Sequence, residues 1–475
     1  MTTAPEWSYP PGSQRQSLLG LVGPIPTDQS GVPPAKRLDE LRNVQGNILH
    51  PHGRRFALHT LLVFRATSPA RTWISRIAND LTTAADELLA RTTCTTEPRP
   101  SFLSLALSYR GLRAAGLPRT SSYIADESYR QGMAARRSVL SDPPRLDRET
   151  PYRDGCDAML VIADDVPDNA WAKFRRLFAD APVDGVDVVG VEIGQRLTNQ
   201  FGQDVEHFGY VDGTSQPLFF QCDVDRETRR QRNPRWSPGF PPRQVLVPCP
   251  GGGYGSYLVF RKLEQNVAAF AAAKRRLAAR LGGLDDPAVA GARIIGRYED
   301  GRPFGLRDQL GSVLPVENGF LYDTEPPACP IGSHVRMVNP RTARSRATAI
   351  ARRGMPYGTP VAGRAWSPTD PTATGGVGLL FIAYMADIGA QYEAIQIAAN
   401  GTNADDRDPL IGQGPHPSAA YGTTADGQLV RLRGGEYFFV PSPAFLRGAS
   451  DAQASTDAYT RPVMPGDQPG GRGRY

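Results

Sequence analysis

Leu61-Leu-Val-Phe-Arg65 and Tyr257-Leu-Val-Phe-Arg261 decide the fold, because they spell nearly the same strand twice. Each is apolar and each feeds a helical pattern. After the first, Trp73, Ile74, Ile77 and Leu81 share one face of a helix expected over Pro69–Leu81. Leu103, Leu105, Leu107 and Tyr109 then alternate with smaller or polar residues, the period of a half-buried strand. Met159–Ile162 reads as another strand, Asp168–Ala179 as a helix with Asp168 at its N-cap, and Val186–Ile193 as an alternating strand. Apart from a short extra helix near Gly111–Gly116, the order is β-α-β-β-α-β, the ferredoxin-like split pattern. The second copy continues with an alanine-rich helix over Glu264–Leu281, a strand over Val377–Met385, a helix over Asp387–Ala399 and a strand over Glu436–Val440. The copies lie much further apart than the roughly 20–50 residues of a solenoid repeat. The expected fold is therefore α+β: two ferredoxin-like domains with antiparallel sheets. The expected boundaries are a proline-rich N-terminal arm over 1–40, domains over 41–200 and 201–455, and a mobile Gly/Pro/Arg tail over 456–475.

Composition narrows the function. The chain has 475 residues, 40% hydrophobic and 21% charged, with 54 Lys plus Arg against 48 Asp plus Glu. The resulting net charge of +6 is a mild bias that helps steer an anionic substrate. Without a dense basic run interleaved with aromatics, nucleic acid is not an expected partner. Five widely spaced cysteines with no C-x-x-C argue against a disulfide framework or a zinc site and for a reducing compartment. No apolar run reaches the roughly 18 residues of a membrane span, and no secretory signal is visible, so a cytoplasmic location is expected.

Three stretches carry candidate chemistry. Phe208-Gly-Tyr-Val-Asp-Gly-Thr-Ser-Gln-Pro217 presents one carboxylate, Asp212, between Gly209 and Gly213. Glycines there let a backbone approach something flat without a Cβ in the way, although an Asx-type turn between strands is an equally good reading. Among six histidines no His-x-x-x-His or Glu-x-x-His pair occurs, which argues against a helix-borne zinc or di-iron site. A single axial histidine still suffices for a haem iron. His334 stands out in Cys329-Pro-Ile-Gly-Ser-His-Val-Arg-Met-Val-Asn-Pro-Arg341, where Pro and Gly fix the approach to the imidazole. The third stretch, Arg352-Arg-Gly-Met-Pro-Tyr-Gly358, offers guanidinium groups on a Gly/Pro-framed loop, or a solvated basic turn. By contrast, Gly251-Gly-Gly-Tyr-Gly-Ser256 precedes a strand and lacks the lysine of a phosphate-binding loop, so it reads as a flexible connection.

Taken together, these segments resemble the dye-decolourising (DyP-type) haem peroxidases from Val44 to Arg447. Gly209-Tyr-Val-Asp-Gly213 resembles the family's G-x-x-D-G motif, and His334 stands in a stretch similar to that carrying the proximal haem ligand. Alignment on Pro-Tyr-Gly358 places Arg352, rather than Arg353, at the distal arginine. Val-Gln-Gly-Asn-Ile-Leu49, Gly-Ser-Tyr-Leu-Val-Phe-Arg261, Gly-Leu-Leu-Phe381 and Gly-Glu-Tyr-Phe-Phe439 also look like family segments.

The resemblance implies a dimeric α+β barrel-like superfamily fold with haem b in the C-terminal half, between helices and sheet. It implies reduction of hydrogen peroxide and oxidation of dyes, phenols and other small aromatic donors through a ferryl intermediate. His334 would ligate iron, and Asp408 would take the other ring nitrogen. Asp212 would move the peroxide proton as general base and then acid, while Arg352 would stabilise the charge that develops. Leu379 and Phe381, two apart on one strand, would line the distal pocket. Arg341 would meet a haem propionate, and Gly213 would let backbone lie near the porphyrin. Aspartate and histidine ionise with reference pKa values of about 3.9 and 6.5, so an aspartate base implies an acidic pH optimum. Bulky dyes exceed a peroxide-sized pocket, so Tyr392 or Trp366 is expected to relay electrons. A homo-oligomer would fit the family's habit of pairing sheets. A haem-binding or haem-delivery protein with incidental peroxidase activity is the alternative, and a haem-free ligand-binding protein is a third reading.

Overall fold

The computed structural model describes residues 17–92, 99–117, 124–144, 147–179, 184–231, 235–281, 286–304, 318–322, 330–358, 375–402, 407–413 and 429–449. Its first half contains β1 (Phe56–Phe64), α1 (Thr67–Ile77), α2 (Ala84–Thr92), β2 (Phe102–Leu107), β3 (Ala158–Asp164), α3 (Pro167–Phe178) and β4 (Val186–Gln195). The strands pair antiparallel in the order β2-β3-β1-β4. One expected cap moves. Val166 holds the N-cap of α3, Pro167 opens the helix and Asp168 lies inside the first turn. Proline suits that first position because its fixed φ is already helical and its missing N–H has no partner to lose. Helix α2 has no counterpart in the sequence reading.

The second half contains β5 (Tyr254–Gln265), α4 (Val267–Arg280), α5 (Pro287–Ile295), α6 (His334–Val338), β6 (Ala351–Arg352), β7 (Met355–Tyr357), β8 (Gly378–Met385), α7 (Ala394–Asn400) and β9 (Val430–Val440). Strand β5 runs to Gln265, beyond the expected start of α4. Asn266 then caps the helix by accepting from Ala269 N at 2.9 Å. The helix expected over Asp387–Ala399 begins as a π-helical turn, Ile388–Glu393, before α7.

Strands β9-β5-β8 pair antiparallel, and β6 and β7 share the free edge of β8. The register is continuous across the gap: Arg352 faces Ala383, Met355 faces Leu380, and Arg353 N donates to Ile382 O at 2.7 Å between them. Residues 351–357 therefore fill the second-strand position of the duplicated pattern, so the stretch read as a loop or basic turn is edge strand. Both halves share the same strand order.

The two sheets close on each other. Tyr357 pairs with Gly194 and Phe439 pairs with Leu107, which joins β7 to β4 and β9 to β2 and makes a barrel. Side chains alternate across each strand, so one face of every strand meets the interior. Ala57, Leu61, Met159, Val161, Leu258, Phe260, Leu380, Ile382 and Phe438 form that inner core. Leu58, Leu62, Leu103, Leu105, Leu160 and Ile162 point outward under Trp73, Ile74 and Ile77 of α1 and Ala170 and Leu177 of α3. The halves thus share one core although they repeat one pattern.

Of the N-terminal arm, residues 1–16 lie outside the described residues, as does the whole expected tail over 456–475. From Ser17 onward the arm is docked. Leu18 and Ile25 are fully buried, Ile25 N donates to Phe219 O at 2.7 Å, and Ala35–Leu41 is helical. Trp73 is fully buried against Phe64 and Phe178. Trp73→Ala is expected to lower stability by about 3–5 kcal/mol, measured by urea unfolding.

Candidate active site

On the outer face of β5, β8 and β9 the same alternation exposes a second row of side chains. Arg261, Leu263 and Gln265 come from β5, Leu379 and Phe381 from β8, and Val430 and Leu432 from β9, and all line one cavity of about 280 Å³. Cross-strand register assembles them: Leu263 faces both Leu379 and Leu432, Arg261 faces Phe381, and Gln265 faces Val430. The roof comes from His334, Val335 and Val338 of α6, Ile395 and Gln396 of α7, and the 206–217 segment. Leu379 and Phe381 share one face of one strand and stand in the cavity wall.

His334 is the first residue of α6, behind the buried Ser333. Its Nδ1 lies 2.8 Å from Asp408 Oδ2, and Asp408 is fully buried. The other oxygen, Oδ1, accepts from Leu410 N at 2.8 Å and Ile411 N at 3.0 Å. Burial pushes the Asp408 carboxyl up, but the neighbouring His334 and these two N–H groups outweigh it and hold the pKa below the usual carboxylate value. With Nδ1 committed to a carboxylate, Nε2 is the nitrogen left for a ligand. That arrangement fixes the ring and strengthens it as a donor to a metal.

Asp212 and Arg352 meet in the same cavity, with Arg352 Nη1 3.7 Å from Asp212 Oδ1. Arg352 Nη2 also donates to Thr214 O at 2.9 Å, and Arg352 N donates to Gln216 Oε1 at 3.0 Å. Asp212 Oδ1 accepts from Gly213 N at 2.6 Å, so the carboxylate is steadied by its own turn. His207 bonds Tyr357 O at 2.9 Å, which ties the start of the Asp212 segment to β7. The loop of the acid and the strand of the arginine are therefore one clamped unit. Arg353, next along the edge strand, is buried instead and donates to Asn47 O and Ile48 O at 3.0 and 3.1 Å. Burial lowers its pKa to about 10.

Gly213 does not line the cavity. Its φ is +78°, and a Cβ there would meet no atom within 4 Å, so its need for glycine is conformational. Arg341 does line the wall, with its donors engaged inside the protein. Nη1 donates to Asn318 O at 2.6 Å and Phe320 O at 2.7 Å, while Nη2 donates to Ser215 Oγ at 2.9 Å and Asn318 Oδ1 at 2.6 Å. Ser215 and Arg341 both hold positive φ, +61° and +57°, so two strained backbones share one hydrogen bond at the wall. Tyr392 also lines the cavity, whereas Trp366 lies outside the described residues.

Sequence reasoning missed Glu206, Arg261 and Gln265. Glu206 accepts from Phe208 N at 2.9 Å, from Tyr210 N at 3.1 Å and from Gln265 Nε2, and it lines the cavity. Burial raises its pKa to about 7, and the charge of Asp212 adds to that against the hydrogen bonds. Arg261 pairs with buried Asp142 and donates to the Tyr392 hydroxyl. Extending the period-two reading of Tyr257–Arg261 by two steps would have placed Arg261, Leu263 and Gln265 on one face.

Among the described residues no group of three or more His, Cys, Asp or Glu side chains is arranged to hold a metal ion. One imidazole oriented by a carboxylate, above an apolar floor with arginines at the wall, fits a metal that arrives with its own planar ligands and acidic edge. No helix of the described residues is long and apolar enough to cross a membrane.

A family profile described as "Dyp-type peroxidase, C-terminal" matches residues 250–421. The multifunctional dye peroxidase DyP2 of an Amycolatopsis strain is 37% identical over 87% of this chain and 96% of its own. Its solved structure superposes with a TM-score of 0.79, covering 90% of this chain and 99% of that one. A DyP-type peroxidase of Anabaena superposes at 0.77 with 32% identity, over 88% and 96% of the two chains. A deferrochelatase of Shigella flexneri is 30% identical, but over only 23% of this chain. By its length-wide likeness to the first of these relatives, this chain belongs to the DyP-type peroxidases, haem-dependent oxidoreductases that act on peroxide.

Proposed function

We propose that the cavity binds haem b and that the protein reduces hydrogen peroxide at the expense of dyes, phenols and other small aromatic donors. The observation that carries this reading is the convergence of His334–Asp408 and Asp212–Arg352 on one apolar-floored cavity. When bound, haem would supply an iron centre and the redox capacity for peroxide reduction. Everything else falls to the chain. His334 would hold the metal through Nε2, with Asp408 fixing the ring through its contact with Nδ1. Leu379, Phe381 and Leu432 exclude water from the flat face. Arg341, on the cavity wall, would face the acidic edge of the group, and Gly213 keeps the turn in the φ that presents Asp212.

Asp212 accepts a proton from the near oxygen of peroxide and returns it to the leaving oxygen, so that water departs. Arg352, one hydrogen bond from the same loop, stabilises the negative charge that develops as the O–O bond breaks. Removing both functions separates enzyme from carrier. With haem-replete protein, one equivalent of peroxide is expected to change the Soret spectrum rapidly in the wild type. The same change is expected to be about 10²–10⁴-fold slower in the Asp212→Asn/Arg352→Leu double variant, by stopped-flow absorbance. A slow change that the double variant leaves untouched would favour haem delivery, and a replete protein without a Soret band would exclude both.

Two further outcomes follow from the electrostatics. Asp408→Asn is expected to weaken haem retention about 10–100-fold, read by transfer of haem to apomyoglobin, because the imidazole loses its fixed partner. Glu206 titrates near 7 in the folded chain against an ordinary value of 4.5. A raised carboxyl stabilises fully below the ordinary value and loses that stabilisation as pH rises through the folded one. The Tm advantage of wild type over Glu206→Gln is therefore expected to be larger at about pH 5 than at about pH 8, by scanning calorimetry.

A further inference from the structure

One side chain on the cavity wall has its acceptor committed and its donors open. Gln216 follows Asp212 on the same loop, is half-buried, and lines the same cavity. Its Oε1 accepts from Arg352 N at 3.0 Å. A backbone N–H can only donate, so the amide oxygen must face it, and turning the amide over would set donor against donor. The amide nitrogen is thereby the free end. Among the described residues nothing accepts a hydrogen bond from Nε2.

The backbone beneath Gln216 is fixed from both sides. Ser215 holds φ +61°, and its hydroxyl donates to Asn318 Oδ1 and accepts from Arg341 Nη2 at 2.9 Å. Beyond Gln216, Pro217 is buried, Leu218 N donates to Pro238 O at 2.8 Å, and Phe240 N donates to Leu218 O at 2.9 Å. Left-handed backbones at residues other than glycine persist where their surroundings over-determine them, and they collect at functional sites. A donor held this way meets a developing charge without reorganising, the condition under which such donors act most strongly. Arg352, by contrast, already commits Nη2 to Thr214 O at 2.9 Å and turns Nη1 toward Asp212 at 3.7 Å. A neutral second donor adds charge stabilisation without competing for either contact. We propose that Gln216 is a further catalytic residue, whose Nε2 donates a hydrogen bond to the peroxide oxygen that departs as water.

This rests on the peroxidase reading. No bond to Gln216 forms or breaks. Asp212 moves the proton, and the amide shares with Arg352 the negative charge that collects on the departing oxygen. Because Oε1 also pins Arg352 N, deleting the side chain removes a positioning contact and a donor together. Gln216→Glu parts the two, since it keeps an acceptor for Arg352 N and, once ionised, has no donor. A glutamic acid ionises at about 4.3, so acid gives that variant an O–H donor back.

The test uses haem-replete full-length protein mixed with one equivalent of peroxide and followed at the Soret band by stopped flow. Gln216→Glu is expected to react roughly a hundredfold slower than wild type at about pH 7, with most of that gap closing at about pH 4. A residue that only positions Arg352 would leave this variant at the wild-type rate at both pH values, which overturns the donor role. A gap equally wide at both overturns it too. The neutral variant Gln216→Met lacks the donor at every pH and should stay slow throughout. A second readout needs no turnover: with carbon monoxide on the ferrous protein, the C–O stretch in the infrared is expected at higher frequency in Gln216→Met than in wild type. An unshifted stretch overturns the donor whatever the rates. Should Gln216→Met not fold, Gln216→Glu decides alone. If wild type shows no Soret change with peroxide, the peroxidase reading has failed and the donor role with it, whereas an active wild type with indifferent variants sinks the donor role only.

Discussion

Two-sided burial of the second sheet is the constraint on which the rest of the structure depends. Along β5, β8 and β9 one set of alternating side chains fills the barrel and the other set floors the cavity. Neither set could be moved without the other, because a one-residue slip in register exchanges the two faces. Arg352 and Arg353 show how narrow the requirement is. They are neighbours on the edge strand, yet one points its charge at Asp212 and the other is spent on the carbonyls of Asn47 and Ile48. The same edge strand closes the barrel through Tyr357 and Gly194. Barrel closure and the placing of a charge over the cavity are thus a single event.

Much of this was legible in the sequence. The apolar runs Leu103–Leu107 and the repeated Leu-Val-Phe-Arg gave the strands, although β2 is buried on both faces rather than one and Tyr109 opens the helix that follows. Around Asp212, Gly209 and Gly213 betray a backbone at positive φ, whereas His334 opens a regular helix and Arg352 sits on an edge strand. What escaped has physical reasons too. The 351–357 strand is broken by Gly354 and carries Pro356, both of which normally argue against strand, and an edge position tolerates them. Helix α2 has a weak pattern of apolar positions. The docking of the arm at Ile25 and Phe219 joins residues far apart in the chain, and local pattern carries no trace of such a contact.

Electrostatic balance in the site is achieved by pairing rather than by exposure. Asp408 is fully desolvated, which alone would favour its neutral form, yet one imidazole and two backbone N–H groups hold its pKa below the usual carboxylate value. Glu206 meets three donors and still ends near 7, because burial and Asp212 weigh more than its hydrogen bonds. Two carboxyl groups beside one cavity, Asp408 and Glu206, are therefore pushed in opposite directions.

The closed barrel has a core of its own, complete behind the cavity floor. Side chains on the two faces of one strand consequently answer to different masters. Leu380 and Ile382 are bound to the interior packing of the whole molecule, while Leu379 and Phe381 face the cavity, Phe381 also packing beside Tyr392. Along the first half of this strand, buried and half-buried side chains alternate. Variation in donor or ligand preference has a route that leaves foldability intact, which gives this scaffold room to diversify without first acquiring surplus stability.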